Sequence, residues 1–165
     1  MRFTTCAIAV TLAGLCVGSA GAQTKVAFGV EAGALNAGDE SLLQLGLRAA
    51  PARGGFGSVD FTFATFPDAL FHGVFAFLMD LGITYGAPRD SSSVFFFPHA
   101  GVSVLAASSF TGSGGGGGVV GYNAGAGLLL RTSAQLGIRI DYTYRRFREA
   151  DVGVSSITAG LMFMR

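Results

Sequence analysis

Hydrophobic and polar residues alternate along much of the chain, and the alternation is most regular in residues 133–145. The apolar positions there are Ala134, Leu136, Ile138, Ile140, Tyr142 and Tyr144. The positions between them are polar or glycine: Gln135, Gly137, Arg139, Asp141, Thr143 and Arg145. Side chains on a β-strand point to opposite faces with a period of two, so this segment predicts a strand with one apolar and one charged face.

The same period recurs in other segments and predicts eight strands in all. They span residues 25–35, 41–50, 56–65, 74–86, 94–107, 118–131, 133–145 and 153–164. Strands of soluble proteins usually have about 5 to 6 residues, whereas a tilted strand needs about 9 to 11 to cross a bilayer. The predicted strands fit the longer class. The outward connections are then 36–40, 66–73, 108–117 and 146–151, with both termini on the periplasmic side.

A helical interpretation fails in the one region long enough for it. Residues 91–130 contain no Asp, Glu, Lys or Arg, which suits a membrane helix by length alone. Pro98 and the glycine run 114–118 interrupt it, and each interior glycine costs a helix about 1 kcal/mol relative to alanine. The region therefore predicts two strands joined by a glycine-rich loop.

The first 22 residues have the features of a cleavable signal peptide. Arg2 provides a positive start, residues 7–17 are apolar, and Ala20 and Ala22 supply the small residues for cleavage before Gln23. A short anchor helix is the alternative. Both cysteines, Cys6 and Cys16, lie in this segment. Lipidation of Cys16 would need a small residue where Leu15 stands. We therefore predict a signal peptide over 1–22 and one cysteine-free domain over 23–165.

The composition narrows the class of protein. Hydrophobic residues make up 50% of the chain, charged residues only 13%, and there are 26 glycines. Soluble domains carry about 25% charged residues. The net charge of +1 gives no long-range attraction to nucleic acid. Long amphipathic strands with so little charge favour a closed barrel with lipid outside and polar residues inside.

The chain resembles the small outer-membrane β-barrels, the eight-stranded class of the OmpA membrane domain and OmpX. The resemblance covers 25–165 and is strongest over 122–127 and 136–144. The last strand is similar to the signal read by the barrel-assembly machinery through Thr158, Gly160 and Phe163, although Arg165 replaces the usual terminal aromatic. This resemblance implies an all-β, antiparallel, up-and-down transmembrane barrel in the outer membrane, with outer-membrane lipids as its surroundings.

The predicted inward faces carry charges of both signs. The acidic and basic members are Glu31, Asp60, Asp80, Asp141, Arg48, Arg139, Arg145 and His99. An eight-stranded barrel is just wide enough for side chains to fill it, and an unpaired buried charge is costly. We expect these residues to form a salt-bridge network that plugs the interior. A narrow ion path through the same pairs is the alternative.

A second candidate site lies at the outward end of the seventh strand. Its members, Tyr142, Tyr144, Arg146 and Arg148, suit the membrane interface and the phosphates of lipopolysaccharide.

Catalysis would need a base beside a nucleophile. His72 lies in a predicted outward loop, and His99 faces inward with Ser103 four residues further on the same face. Neither histidine forms a nucleophile–base pair by spacing alone.

The acidic loop pairs, Asp39 with Glu40 and Glu149 with Asp151, fit solvated loops better than a metal site. We predict no catalytic residues, cofactor or metal, and a monomer.

The sequence thus favours an integral outer-membrane barrel with a structural or surface-interaction role. Three alternatives stay open: a narrow pore for small solutes, a lipid-modifying outer-membrane enzyme, and a soluble secreted β-barrel or sandwich. In the last case the apolar faces would form the core and the charged faces would meet water.

Overall fold

The computed structural model describes residues 26–51, 58–86, 93–110 and 116–164. Within these ranges eight antiparallel strands form one closed barrel in chain order. The strands are β1 (Val26–Ala37), β2 (Glu40–Pro51), β3 (Ser58–Thr65), β4 (Val74–Thr84), β5 (Val94–Ser109), β6 (Gly117–Arg131), β7 (Leu136–Phe147) and β8 (Val152–Met164). The pairing of β1 with β8, from Ala27 opposite Met164 to Asn36 opposite Ser155, closes the sheet.

The predicted eight-stranded, up-and-down barrel is confirmed, with differences at strand ends. The seventh strand begins at Leu136 rather than at 133, because residues before it form a turn. There the Ser133 hydroxyl oxygen accepts hydrogen bonds from the backbone N–H groups of Gln135 (3.2 Å) and Leu136 (3.1 Å). The alternation of apolar and polar residues therefore continues through residues 133–135, although these residues form a turn and not part of the strand. The predicted signal peptide over 1–22, Arg165 and the connections at 52–57, 87–92 and 111–115 lie outside the described residues.

One connection contains a short helix that the alternation did not predict. Helix α1 (Pro67–Phe71) joins β3 to β4. Pro67 suits the first turn of a helix, where its missing N–H is not needed, and Gly73 follows the helix with φ 71°. The end of the barrel that carries α1 and the β1–β2 turn is called the α1 end below. The opposite end, where β1 begins and β8 ends, is called the terminal end.

The interior is layered along the barrel axis. At the α1 end the buried residues are apolar and comprise Leu35, Ala64, Phe66, Leu78, Phe147 and Val154. At the terminal end a second apolar cluster comprises Ala27, Ala50, Met162 and Met164, with Leu129 packed against it. Most of the buried polar and charged side chains lie between these clusters, and at the terminal end the guanidinium carbon of Arg131 lies 5.2 Å from the centre of the buried Phe95 ring.

The outward faces have the opposite character. Large apolar side chains are exposed around the barrel, among them Phe28, Leu47, Phe96, Val102, Ile140, Ile157 and Phe163. Strand parity alone produces this arrangement, because every outward position is two residues from the next. Among the described residues no helix has the length and apolar character needed to span a membrane.

Candidate functional site

The ionic layer of the barrel brings together side chains from six strands. Glu31 on β1, Arg48 on β2, Asp60 on β3 and Arg139, Asp141 and Arg145 on β7 are all buried. The side chains of Asp80 on β4 and His99 on β5 are 13% and 9% exposed. All eight residues that the sequence analysis assigned to the interior therefore point inward in the structure.

Two arginines hold the larger group of ion pairs. Arg48 Nε lies 2.8 Å from Glu31 Oε2, and Arg48 Nη1 lies 3.1 Å from Asp60 Oδ2. Arg139 Nη2 lies 2.7 Å from the same Asp60 oxygen, and Arg139 Nε also donates to Asp141. His99 Nε2 completes the group at 3.2 Å from Asp141 Oδ1. Asp60 and Asp141 thus each lie beside more than one cationic or ionisable group, which offsets part of the cost of burying a carboxylate.

A smaller group surrounds Arg145. Its Nη2 lies 2.6 Å from Asp80 Oδ2, and its Nη1 donates to Ser156 Oγ at 2.7 Å. Ser103 Oγ donates to Asp80 Oδ1 at 2.5 Å and accepts from Asn123 Nδ2 at 2.9 Å. The sequence analysis did not assign Ser103, Asn123 or Ser156 to the network. Their inward parity was the available signal, because polar residues on that face have only each other as partners.

An aromatic ring supports the larger group from the terminal end. The guanidinium carbon of Arg139 lies 4.1 Å from the centre of the Phe97 ring, a cation–π distance. Phe97 shares the inward face of β5 with His99 but was not predicted as a site residue. An ideal Cβ added at Gly127 would lie 2.6 Å from Phe97 Cε2 and 2.9 Å from Asp141 Cγ. The absence of a side chain at 127 therefore leaves room for both.

Glycines accommodate Glu31 in the same way. Gly46 and Gly160 are its partners on the two neighbouring strands. An added Cβ at 46 would lie 3.0 Å from Glu31 Cγ, and one at 160 would lie 2.9 Å from Glu31 Cβ. Small residues beside large ones are how a narrow barrel fills its interior.

Little space remains in the ionic layer. A cavity bordered by Asp60, Asp80, His99 and Asn123 leaves about 10 Å³ for the centre of a water molecule, which is room for about one. Glu31 Oε1 and Asp60 Oδ1 are buried without a protein hydrogen-bond partner. The cavity within the ionic layer is therefore small.

Among the described residues, the hydroxyl on the same strand face as His99 has other partners. Ser103, the residue that shares the face of His99, has its hydroxyl engaged with Asp80 and Asn123, whereas His99 Nε2 lies beside Asp141 and, at 3.5 Å, Thr143 Oγ1. His72 lies in the turn that ends α1. In the part of the chain that the structure describes, no group of three or more His, Cys, Asp or Glu residues is placed to hold a metal ion.

The residues predicted at the interface face outward at the α1 end of β7. Tyr142 and Tyr144 are exposed on the apolar surface. Arg146 is paired with Asp151 of the β7–β8 turn, and the guanidinium carbon of Arg148 lies 5.7 Å from the centre of the Tyr122 ring. The four predicted residues share one side of the barrel, but each arginine has its own neighbour.

Comparisons with known proteins identify the fold. No protein-family model matches the chain, and no curated protein does.

Three solved structures are similar over most of their length. The N-terminal β-barrel domain of OprF from Pseudomonas aeruginosa has a TM-score of 0.60 at 13% identity, covering 83% of this chain and 97% of that one. Neisserial surface protein A has a TM-score of 0.61 at 15% identity, covering 86% and 96%. Ail, the attachment invasion locus protein of Yersinia pestis, has a TM-score of 0.55 at 18% identity, covering 86% and 97%. The chain therefore has the fold of the small eight-stranded outer-membrane β-barrels.

Proposed function

We propose that this chain is an integral outer-membrane β-barrel with a structural or surface-interaction role, a closed lumen and no catalytic activity. One observation carries the proposal: the barrel is polar inside and apolar outside. Arg48, Arg139 and Arg145 are buried in the interior, while Phe28, Leu47 and Phe96 are at least 60% exposed. In water these outward side chains would leave their hydrocarbon exposed, and the two apolar clusters inside the barrel ends do not include them. Lipid around the barrel removes that exposure.

The arrangement of the strands supports membrane insertion as well. A hydrocarbon environment offers no hydrogen bonds, so a sheet that crosses it must pair every edge. Here β1 pairs with β8 over ten residues, and no edge strand is left in the described barrel. A soluble secreted barrel does not need such closure together with an apolar exterior, which makes that alternative the weaker one.

The interior supports a plug rather than a pore. Ion pairs lie in the middle of the lumen, and apolar clusters lie toward both ends. A hydrated ion would have to break the Arg48 and Arg139 bridges and pass the apolar clusters. We therefore place the narrow-pore function second.

Cell fractionation followed by electrophoresis with and without boiling tests the proposal. The full-length chain should be found in the outer-membrane fraction, resist carbonate extraction and migrate as a compact band that shifts on boiling. Recovery of a monodisperse protein in buffer without detergent would instead support the soluble barrel and contradict the proposal.

We also propose that the outward side of β7 contacts lipopolysaccharide. Arg148 is exposed beside Tyr122, and guanidinium groups form charge-assisted hydrogen bonds with phosphates. Tyr142 and Tyr144 supply the interfacial aromatics below it. Arg146 contributes less, because Asp151 already neutralises its charge. Arg148→Gln should reduce co-purification of lipopolysaccharide more than Arg146→Gln does, and equal retention by both variants would contradict this contact.

Assembly and catalysis complete the proposal. Thr158, Gly160 and Phe163 lie on β8 with Phe163 outward, which suits recognition of a monomeric chain by the barrel-assembly machinery.

We propose no lipid-modifying activity, because the Ser103 hydroxyl is already engaged with Asp80 and Asn123. Membranes that express the chain should therefore have unmodified lipid A.

A further inference from the structure

The apolar outer surface does not stop at the α1 end, where β4 begins and β5 ends. A row of rings leads along it from the middle of β3 toward the α1 end. The Phe63 and Phe77 centroids are 5.9 Å apart, Phe77 and Phe75 are 6.1 Å apart, and Phe75 and Phe110 are 6.4 Å apart. These are normal distances between packed aromatic rings. Phe110 follows the last residue of β5, so the row extends beyond the strand and leaves Phe110 67% exposed.

Helix α1 adds apolar groups next to this row. Phe66, just before the helix, is buried, and Ala69 packs against the apolar cluster inside the barrel mouth. Asp68 Oδ2 accepts a hydrogen bond of 2.7 Å from the Leu43 backbone N–H, which holds the helix to β2. Leu70 and Phe71 are left outside, with Phe71 87% exposed.

A backbone hydrogen bond joins the two apolar elements. The Phe110 N–H donates to the Gly73 carbonyl oxygen at 2.9 Å. Gly73 is two residues beyond Phe71, so the end of α1 and the end of β5 form one unit. We call Leu70, Phe71 and Phe110 the phenylalanine rim.

The chemistry of the phenylalanine rim fits hydrocarbon better than a protein partner. Its side chains have no polar atom, whereas protein-binding hot spots are enriched in Trp, Tyr and Arg. Soluble surfaces rarely leave a large apolar patch in water. The β6–β7 side of the same barrel end has Tyr122, Tyr144 and Arg146 instead, which suit head groups. The rim is also continuous with the surface that, on the proposed function, faces lipid.

We propose that the phenylalanine rim is a membrane anchor that inserts among the acyl chains of the surrounding leaflet. The β3–β4 connection and the end of β5 are then embedded, rather than forming water-exposed loops available to a soluble partner. This inference rests on the proposed membrane location, and it goes further by assigning lipid as the occupant of a connection that the sequence predicts as an outward loop.

The chain contains no tryptophan, so single substitutions give an unambiguous fluorescence reporter. We would reconstitute Phe110→Trp and Phe71→Trp in phosphatidylcholine vesicles with and without brominated acyl chains. Ile140→Trp, on the outward face of β7, reports the membrane-embedded band. Glu149→Trp, in the β7–β8 turn, reports a position in water.

If the rim is embedded, brominated lipid should quench the tryptophan fluorescence at positions 110 and 71 nearly as much as at position 140. Aqueous iodide should quench the fluorescence at these positions only weakly. The Glu149 variant should show the reverse. If position 140 is quenched while 110 and 71 behave like 149, the rim is in water and the inference is wrong. If position 140 is also unquenched, the proposed membrane location itself fails. Phe71 and Phe110 are both highly exposed, so these substitutions should not disturb folding, and the boiling-dependent mobility shift verifies each variant.

Discussion

At the scale of single residues, strand parity determines which side of the barrel a side chain occupies, but not which partner it meets. Parity places Arg139 and Arg145 on one inward face. Arg139 then binds Asp60, which is 79 positions away, whereas Arg145 binds Asp80. The inward positions were therefore predictable from alternation. The pairs were not, because they depend on the register and curvature that bring non-neighbouring strands across the lumen.

Arg139 should be essential for stability. Replacement by Ala leaves Arg48 as the arginine shared by the buried carboxylates of Asp60 and Asp141. Breaking a buried ion pair costs about 3–5 kcal/mol when no other cation compensates, so we expect a loss toward the lower end of that range. The measurement is urea unfolding of the barrel refolded in phospholipid vesicles. Arg148→Ala is the matched control, since an exposed arginine changes stability by about 0.5 kcal/mol or less. Equal midpoints for the two variants would contradict the ionic layer as a stabilising network.

Gly127 should tolerate no side chain. Gly127→Ala places a Cβ 2.6 Å from Phe97 Cε2 and 2.9 Å from Asp141 Cγ, and such overpacking typically costs about 1–3 kcal/mol. Gly117→Ala is the control, because an added Cβ there meets nothing within 4 Å. The same unfolding assay compares them. Adding Phe97→Leu to Gly127→Ala should recover part of the loss, and no recovery would show that Phe97 is not the obstacle.

At the scale of elements, the period of two predicted every strand but not α1. The helix has only five residues, too few to show a helical period in the sequence. Pro67 and Asp68 favour its first turn, yet the hydrogen bond from Leu43 to Asp68 joins positions 25 apart in sequence. That contact exists only after β2 and β3 are neighbours. Short connections whose structure depends on tertiary contacts therefore remain outside the reach of pattern analysis.

The bond to Asp68 should hold α1 over the barrel mouth. Asp68→Ala removes the acceptor of the Leu43 N–H, so exchange of that amide with solvent deuterium should accelerate. Amides in the middle of β7 should keep their protection, because their ladder bonds are unaffected. Asp39→Ala, in the exposed β1–β2 turn, is the control and should leave Leu43 unchanged. Unaltered exchange in Asp68→Ala would mean that apolar packing alone holds the helix.

At the scale of the whole molecule, the interior consists of an ionic layer between two apolar layers. Strand alternation predicts charges in the lumen, but it does not distinguish the ends of the lumen from its middle. Leu35 and Phe147 at one end and Met162 and Met164 at the other share the inward parity of the charged residues. These apolar residues differ from the charged ones in their position along the strand, which places them toward the ends of the lumen.

This layering predicts that the barrel does not conduct ions. The purified protein, reconstituted in planar bilayers, should show no steady single-channel openings, because a permeating ion would have to separate the buried ion pairs and pass the apolar clusters on either side of them. Insertion is verified in parallel by the mobility shift of protein recovered from vesicles of the same lipid. Reproducible openings from a verified preparation would favour the pore and overturn the closed lumen.

The ladder between β1 and β8 has a topological consequence. It is built like the ladder of any hairpin, and it places Ala27 beside Met164 at one end of the barrel. A peptide linker between the first and last strands would turn the polypeptide into a covalent ring, and a cut at Gly38–Asp39 would then create new termini without removing a strand pair. Such a rearranged chain retains every inward and outward position. The order in which the strands are joined by covalent bonds is therefore separable from the shape that they enclose.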